Sequence, residues 1–343
     1  MSYTDEIRQM PEALRSFAGY AEESAAGFSE KIKEMFRSGK PDKIIFSGMG
    51  SSLFVSGIAC TYLRRKGINA FTLEANELVR FDRPVVGDET LLVAVSQSGN
   101  SMETVRLCEV YRSAPLITVT SREDGNLASY GRFQVFIKSG EEKFTSSKSY
   151  TNSVAAMVYL AMIIAGESSS VPEFCAELKK CAGQMQLILD DRTLPQDADE
   201  FLLPCRRLTI VGSGASYSTV EHGALVMLET AKILSSEYTA GQFIHGPVEI
   251  IDDSFGCIIF DFDPEVRNDI DRVISLTEGY GGRTWIITDR KDLTEHERRK
   301  VTVYPCGSVF LSPLLEIVPV QLWAKFNAEK NGLAPGVLHR VHK

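Results

Sequence analysis

The sequence predicts an α/β protein made of two tandem domains, each an open, doubly wound parallel sheet flanked by helices. Three observations support this class. The chain has 343 residues, which exceeds an ordinary single domain. Short apolar runs alternate with helical stretches, as in parallel βαβ units. One strand-and-turn segment also occurs twice, with Gly48 and Gly212 lying 164 positions apart.

Each half begins with the same strand and turn. Residues 44–52, IIFSGMGSS, form a short apolar strand that ends in a Gly-x-Gly-x-Ser turn, and residues 208–216, LTIVGSGAS, repeat it. A helical pattern follows each turn, from Val55 to Lys66 and from Val220 to Leu234. We therefore expect each half to start with a strand, a glycine turn and a helix.

The later elements recur in the same order. Three more strands are predicted in each half, over Leu91–Val95, Leu116–Thr120 and Phe133–Ile137, and over Cys257–Phe260, Trp285–Asp289 and Lys300–Tyr304. A long apolar helix ends each half, near residues 149–164 and 314–331. Strands this apolar throughout indicate a sheet that is covered on both faces.

These elements give the predicted domain boundaries. We expect a helical segment over residues 1–40 and a first domain over 41–166. An acidic stretch without strand patterns predicts a helical connection over 167–200, and the second domain with its tail follows over 201–343.

Composition excludes several classes of protein. The net charge of −8 offers no electrostatic support for nucleic-acid binding. The longest apolar run, residues 154–166, is too short to span a bilayer, and the first residues lack the pattern of a secretory signal. Seven cysteines without a CxxC motif predict reduced thiols in a cytoplasmic protein. The five histidines show no metal-ligand spacing, so we expect no metal.

A polar loop follows the second strand of the first half. Residues 96–101, SQSGNS, come directly after Leu91–Val95, at the edge where ligands of open parallel sheets bind. Glycines let backbone N–H groups approach an anion, and a following helix N-terminus favours negative charge. Hydroxyl groups supply further donors. A phosphate therefore suits a group of serines, namely Ser51, Ser52, Ser96, Ser98 and Ser101.

Two other phosphate-binding motifs fit less well. The third glycine of the dinucleotide fingerprint is missing from both halves, because Leu53 and Tyr217 stand in its place. No GxxxxGK[ST] motif occurs. Gly-x-Gly alone remains compatible with a simple tight turn, so the prediction depends on its combination with SQSGNS.

At this point the motifs resemble a known family. The two motif-bearing strands of the first half, with Thr145-Ser146-Ser147-Lys148 downstream, resemble the SIS (sugar isomerase) domain. Two such domains with residues 241–247, GQFIHGP, are similar to the isomerase half of glucosamine-6-phosphate synthase and to fructosamine-6-phosphate deglycases. The resemblance covers roughly residues 40 to 343 and does not extend to the synthase's glutamine-hydrolysing half. It implies an enzyme acting on a sugar phosphate without a cofactor.

The resemblance also implies where the sugar phosphate binds. In the first domain it assigns the phosphate to Ser52, Ser96, Gln97, Ser98 and Ser101. It places Glu141 and Ser146 near the sugar. In the second domain, residues 262–264 (FDP) replace the serine loop, so that half is expected to bind no phosphate there.

Two catalytic residues follow from the same resemblance, Glu229 as a base and His245 in the HGP motif. A carboxylate can remove a proton next to the carbonyl or imine of an open-chain ketose and return it elsewhere. A histidine can protonate a ring oxygen or a leaving amine near neutral pH.

Departures from the synthase favour one reaction. Val226 stands where the synthase carries a lysine, one turn before the base, and residues 247–249 (PVE) follow the deglycase pattern. A deglycase takes a fructosamine 6-phosphate through an enolamine to an imine, and water then releases glucose 6-phosphate and an amine. An aldose–ketose isomerase, an aminosugar-phosphate deaminase and a non-catalytic sugar-phosphate sensor remain alternatives. The sequence does not name the amine.

The resemblance gives two further expectations. The tail, residues 335–343, is a candidate active-site cap, with Arg340, or with a short gap Lys343, at the position of a synthase lysine that reaches the sugar. In relatives the HGP loop approaches the phosphate site of a neighbouring subunit. A homodimer or higher assembly with shared sites is therefore expected.

Overall fold

The computed structural model describes residues 2–37, 39 and 41–340, and it contains two five-stranded parallel sheets flanked by helices. The predicted fold class is confirmed. The chain divides into two compact units. The first unit contains residues 10–142 and 148–182. The second unit contains the residues up to Gln9, residues 143–147, and the chain from Gly183 onward.

Two helices open the described chain, α1 (Tyr3–Arg8) and α2 (Met10–Met35). Ser2 begins α1 with a capping box, because its hydroxyl accepts the N–H of Asp5 while the Asp5 carboxylate accepts the N–H of Ser2. The long helix α2 buries an apolar stripe that includes Leu14 and Phe17. α2 belongs to the first unit and α1 to the second.

The first unit contains the sheet with strand order β2-β1-β3-β4-β5. Its elements are β1 (Lys43–Gly48), α3 (Ser51–Arg65), β2 (Ala70–Glu74), α4 (Ala75–Arg80), β3 (Thr90–Val95), α5 (Met102–Val110), β4 (Leu116–Thr120), β5 (Phe133–Phe136) and α6 (Lys148–Ala165). β3 is buried at every position, and α6 is buried over nearly its whole length. β3 after Thr90 and α6 after Ser153 therefore read as apolar on all sides.

The second unit contains the sheet with strand order β10-β9-β8-β6-β7. After α7 (Val171–Asp190) and α8 (Leu194–Leu202), its elements are β6 (Arg207–Val211), α9 (Tyr217–Val226), a π-helical turn (Met227–Ala231), β7 (Ser235–Tyr238), α10 (Ala240–Phe243), β8 (Phe255–Asp261), α11 (Arg267–Gly279), β9 (Arg283–Thr288), β10 (Arg299–Val303) and α12 (Pro313–Lys330). The two strand orders repeat one topology.

Two strands were not predicted, and both lie at an edge of their sheet. β2 reads AFTLE with two exposed positions, and β7 reads SSEY with mixed burial. An edge strand needs no continuous apolar run, so it carries a weaker pattern than a central strand. The helix predicted over Val220–Leu234 also ends early, because Lys232 adopts a left-handed conformation with φ of 58°.

The strand order reverses at β1, which pairs with β2 on one side and β3 on the other. Gly48 lies opposite Val95 in this pairing. A Cβ at Gly48 would lie 2.6 Å from the Val95 carbonyl oxygen, which is closer than any side chain allows. Glycine is therefore required where the two loops at this edge diverge.

All seven cysteines are free, and five of them are buried. In the part of the chain that the structure describes, no helix is both long enough and apolar enough to cross a membrane.

The close approach at Gly48 gives a first prediction. We expect Gly48→Ala to lower the free energy of unfolding by about 1–3 kcal/mol, because the added methyl group must displace the β3 backbone. Gly27→Ala is the matched control. Its Cβ would meet nothing within 4 Å in the middle of α2, so it should raise stability by about 0.5–1 kcal/mol. Urea denaturation of both variants measures the difference, and equal stabilities would contradict the packing argument.

Candidate functional site

The serine loop, residues 96–101, connects β3 to α5 at the carboxyl edge of the first sheet. Gly99 turns the chain with φ of 66°, and a Cβ there would lie 2.9 Å from the Thr120 hydroxyl oxygen. Ser96 is buried, with its Oγ 3.5 Å from that of Ser98. Ser98 Oγ also accepts the N–H of Asn100 at 3.2 Å. Two serine hydroxyls thus face each other across the turn.

Neighbouring segments hold this loop in place. The Ser121 hydroxyl, just after β4, donates to the Gln97 carbonyl at 2.7 Å, and the Gln97 side chain donates back to Ser121 Oγ at 3.3 Å. Ser101 donates to Glu103 at 3.0 Å within the first turn of α5. The loop is therefore fixed before any ligand arrives.

The Gly48–Ser52 turn lies at the same edge of the sheet. Gly50 is the residue before α3 and adopts a φ of 50°. Because glycine has no side chain, the first turn of the helix has no side-chain cap. Ser51 and Ser52 begin that helix and are half-buried. Uncapped N–H groups at a helix N-terminus favour an anion. The structure thus places all the predicted phosphate-binding residues at one edge of one sheet.

The two residues predicted near the sugar fall in different units. Glu141 is exposed in the first unit. The Asp124 carboxylate, with a smaller contribution from the charge of Glu141, raises the pKa of Arg122 above its usual value. Ser146 belongs to the second unit, where its carbonyl accepts a hydrogen bond from the Gln321 side chain at 3.2 Å.

Glu229 lies on the π-helical turn that continues α9. Single π-helical turns occur frequently at functional sites. Lys232 ends the turn, and its ammonium group donates to the Glu229 carbonyl at 2.5 Å. The Glu229 side chain is half-buried, and its Oε2 accepts a hydrogen bond from the Thr145 hydroxyl. Val226, one turn earlier, is fully buried.

His245 follows the short helix α10 in the same unit as Glu229. Thr239 caps α10 by accepting the N–H of Gln242 at 3.2 Å, and the N–H of His245 donates to the Gln242 carbonyl at 3.1 Å. Gly246, with φ of 129°, then turns the chain. The imidazole is exposed and makes no hydrogen bond with any residue that the structure describes. It is available to a ligand.

The second Gly-x-Gly-x-Ser turn has a different environment from the first. The Ser216 hydroxyl donates to Glu316 Oε1 at 2.6 Å, and Glu316 is fully buried. Burial raises the pKa of Glu316 to about 7, although hydroxyl groups including that of Ser216 act against the shift. Asp263 Oδ2 lies 3.2 Å from where a Cβ of Gly214 would stand. Two carboxyl groups surround this turn, which supports the expectation that it takes no phosphate.

The C-terminal tail packs beside residue 145. The Gly336 carbonyl accepts the N–H of Thr145 at 3.0 Å, and Gly336 lies against the ring of Tyr3. Arg340 is exposed. Lys343, the other candidate for a cap, lies outside the described residues.

Sequence reasoning missed three groups at these sites. Thr145 belongs to the TSSK motif, but nothing in that motif predicts a contact with Glu229. Lys232 and Glu316 show their roles only through backbone conformation and burial. Among the residues that the structure describes, no group of three or more His, Cys, Asp or Glu side chains could hold a metal ion.

Comparisons with known proteins identify a family and several relatives. Residues 39–165 and 201–304 match the family model described as the SIS domain. Glutamine–fructose-6-phosphate aminotransferase (isomerizing) of Thermococcus kodakarensis is 24% identical over 339 residues, which cover 96% of this chain and 55% of that relative. The chain spans about half the length of the curated relatives it matches.

Two solved structures show the same fold. The C-terminal domain of glucosamine-fructose-6-phosphate aminotransferase from Francisella tularensis superimposes with a TM-score of 0.86 at 21% identity, covering 97% of both chains. Tagatose-6-phosphate ketose/aldose isomerase from Escherichia coli gives a TM-score of 0.82 at 21% identity, covering 99% of this chain and 96% of that chain.

The buried Glu316 carboxyl gives a second prediction. Its pKa is raised in the folded state, so the stability that its protonation supplies is present at low pH and is lost as the pH rises through about 7. Between pH 6 and 8 the wild type should lose about 1 kcal/mol that Glu316→Gln does not lose. Thermal denaturation at both pH values measures this. Glu12→Gln, at an exposed position, should follow the wild type. Parallel pH profiles for Glu316→Gln and the wild type would contradict the assignment.

Proposed function

The chain belongs to the SIS domain family, and on that premise we propose that it is an enzyme acting on a sugar phosphate. More specifically, we propose a deglycase that converts a fructosamine 6-phosphate into glucose 6-phosphate and an amine. The observation that carries the proposal is the local structure at Glu229. A candidate base is held by a hydroxyl group, and buried Val226 stands where the synthase has a lysine.

The phosphate is proposed to bind at the carboxyl edge of the first sheet. Serine hydroxyls and the N-termini of α3 and α5 offer donors there without a full positive charge. The fixed loop supports this assignment, since its donors need no ordering on binding. The proposed binding residues are Ser51, Ser52, Ser96, Gln97, Ser98 and Ser101, with Glu141 and Ser146 near the sugar.

The chemistry then uses Glu229 and His245. The ketosamine carries its amine on C1 and its carbonyl at C2. Glu229 removes a proton from C1, and the electron pair shifts to give an enolamine with a C1–C2 double bond. Returning the proton to C2 leaves an imine at C1. Water adds to that carbon, and the C–N bond breaks as His245 protonates the departing amine. The remaining aldehyde is glucose 6-phosphate.

One alternative uses the same residues. An aldose–ketose isomerase, or an aminosugar-phosphate deaminase, would also move a proton between C1 and C2 by means of Glu229. The names of the two isomerising relatives favour this candidate. Lys232 is the lysine nearest to Glu229 in sequence, and its ammonium group donates to the backbone carbonyl of Glu229. This lysine therefore does not replace the synthase lysine that is missing at Val226, which supports the deglycase over a synthase-like reaction. A non-catalytic sensor would have no use for a positioned carboxylate.

We also propose a homodimer or larger assembly, with sites shared between subunits as in the resembling families. Apolar side chains stand exposed close in sequence to both catalytic residues. Leu228 is 42% exposed and Ile250 is 46% exposed. The proposal of an assembly rests on the resemblance, since single exposed apolar side chains are common on protein surfaces.

The third prediction tests the reaction. Purified protein is offered fructosamine 6-phosphates of several amines, and separately fructose 6-phosphate with ammonia, in a coupled assay for glucose 6-phosphate. We expect release from at least one ketosamine. Glu229→Gln should reduce that rate at least about 10³-fold, because the amide cannot accept the proton. His245→Ala should also lower it strongly. Turnover of fructose 6-phosphate alone would favour the isomerase, and full activity of Glu229→Gln would refute the mechanism.

The fourth prediction tests the phosphate site. Ser98→Ala should weaken the binding of glucose 6-phosphate about tenfold in isothermal titration calorimetry, because a donor in the fixed loop is lost. Ser129→Ala is the control. That serine donates to the Asn126 carbonyl on an exposed turn, so its removal should leave the affinity unchanged. Equal affinities for the two variants would show that the serine loop is not the phosphate site.

A further inference from the structure

We propose that Thr145 is a positioning residue for Glu229, which fixes the orientation of the carboxylate and leaves Oε1 as the oxygen that transfers the proton. This inference rests on the proposed function, since it assigns Glu229 the role of the base. It goes further by naming the group that holds the base and the oxygen atom that acts.

The contact itself is direct. The Thr145 hydroxyl donates to Oε2 of Glu229, and the Thr145 side chain is fully buried. The terminal torsion of a glutamate is broad, so a free carboxylate exchanges its two oxygens easily. A hydrogen bond to one oxygen removes that freedom. Among the described residues no side chain binds Oε1, so that oxygen is the one open to a substrate.

The backbone on both sides of Thr145 is anchored. The Glu6 carboxylate, fully buried in α1, accepts the N–H of Lys143 at 2.6 Å and that of Phe144 at 3.4 Å. The Gly336 carbonyl accepts the N–H of Thr145 itself at 3.0 Å. The threonine is thus held through its own backbone and through that of its two predecessors.

The residue that follows is anchored too. The Gln321 side chain, buried in α12, donates to the Ser146 carbonyl at 3.2 Å. This connection is partly buried, since Thr145 and Ser147 are fully buried. Burying the carboxylate of Glu6 is costly unless it is hydrogen-bonded, and here both of its oxygens are used on this segment. Two buried side chains, those of Glu6 and Gln321, are thus used to hold the backbone around Thr145, which indicates that the position of Thr145 is important.

The chemistry explains why orientation matters. The same oxygen must reach the proton on C1 and deliver it to C2. A misplacement of about 1 Å in a reacting group can lower a rate about 10²-fold. Removing the Thr145 hydroxyl should therefore lower the rate of the proton transfer far more than it weakens the binding of the substrate. A residue that only filled space would act on folding instead.

The experiment compares Thr145→Val, which keeps the shape and removes the hydroxyl, with Thr145→Ser, which restores it. Thr151→Val is the matched control, because Thr151 is equally buried but donates only to a backbone carbonyl. The probe is fructosamine 6-phosphate in deuterium oxide. NMR follows deuterium incorporation at C2 of the product and at C1 of the remaining substrate, and a coupled assay follows glucose 6-phosphate. We expect Thr145→Val to lower kcat about 10- to 100-fold with KM within about twofold, and Thr145→Ser to recover most of it.

A second measurement does not need turnover. Urea unfolding of Thr145→Val, Glu229→Ala and the double variant forms a double-mutant cycle. We expect the effects of the two substitutions on the unfolding equilibrium constant to deviate from additivity by at least about fivefold. The reason is that Thr145→Val removes a hydrogen bond only when Glu229 is present to accept it. Additive effects would overturn the hydrogen bond itself.

The outcomes separate the two claims. An inactive Glu229→Gln beside a fully active Thr145→Val would overturn the inference about Thr145 and leave the proposed function intact. Loss of kcat in Thr151→Val equal to that in Thr145→Val would also overturn it. Equal deuterium incorporation by the wild type and Glu229→Gln would refute the role of Glu229 as the base, and with it the positioning role.

Discussion

The parallel arrangement of the strands is the constraint on which the rest of the structure depends. Because every strand in a sheet points the same way, all carboxyl ends meet at one edge. The order reverses at β1, so the turn after β1 and the loop after β3 stand next to each other there. Gly48 permits the close approach, since any side chain would strike the Val95 carbonyl. The serine loop can offer its hydroxyls only because the backbone fits at this point.

The equivalent edge of the second sheet has the same backbone arrangement but carries different side chains. Gly212 stands where Gly48 stands, so the register places Asp261 and Asp263 at the positions of Ser96 and Ser98. Asp261 is fully buried and bound to Arg290 at 3.1 Å, and burial raises its pKa to about 6. Carboxyl groups, one of them paired with arginine, thus stand at the positions that serine hydroxyls occupy in the first sheet. The two sheets share one topology, but uncharged hydroxyls line the edge of one and carboxyl groups line the edge of the other.

The sequence predicts those features whose cause is local. Strands such as β3 and turns such as Gly48–Ser52 are visible because apolar runs and glycines act on the adjacent backbone. The edge strands β2 and β7 lack that signal. The π-helical turn at Glu229 was missed for a related reason, since its residues read as ordinary helix and only Lys232 ends it in a left-handed conformation. The partner of Glu229 could not be found locally, because Thr145 lies 84 positions away.

That separation in sequence also bears on how a carboxylate can serve as a base. A hydroxyl on the same helix would move together with Glu229 and could not fix its orientation against the surrounding fold. Thr145 comes from a distant segment that Glu6 and Gly336 hold through the backbone. Its hydrogen bond therefore ties the base to three separate parts of the second unit: the N-terminal helix, the connection after β5 and the C-terminal tail. The orientation of one carboxylate thus depends on tertiary structure, and no local sequence pattern encodes it.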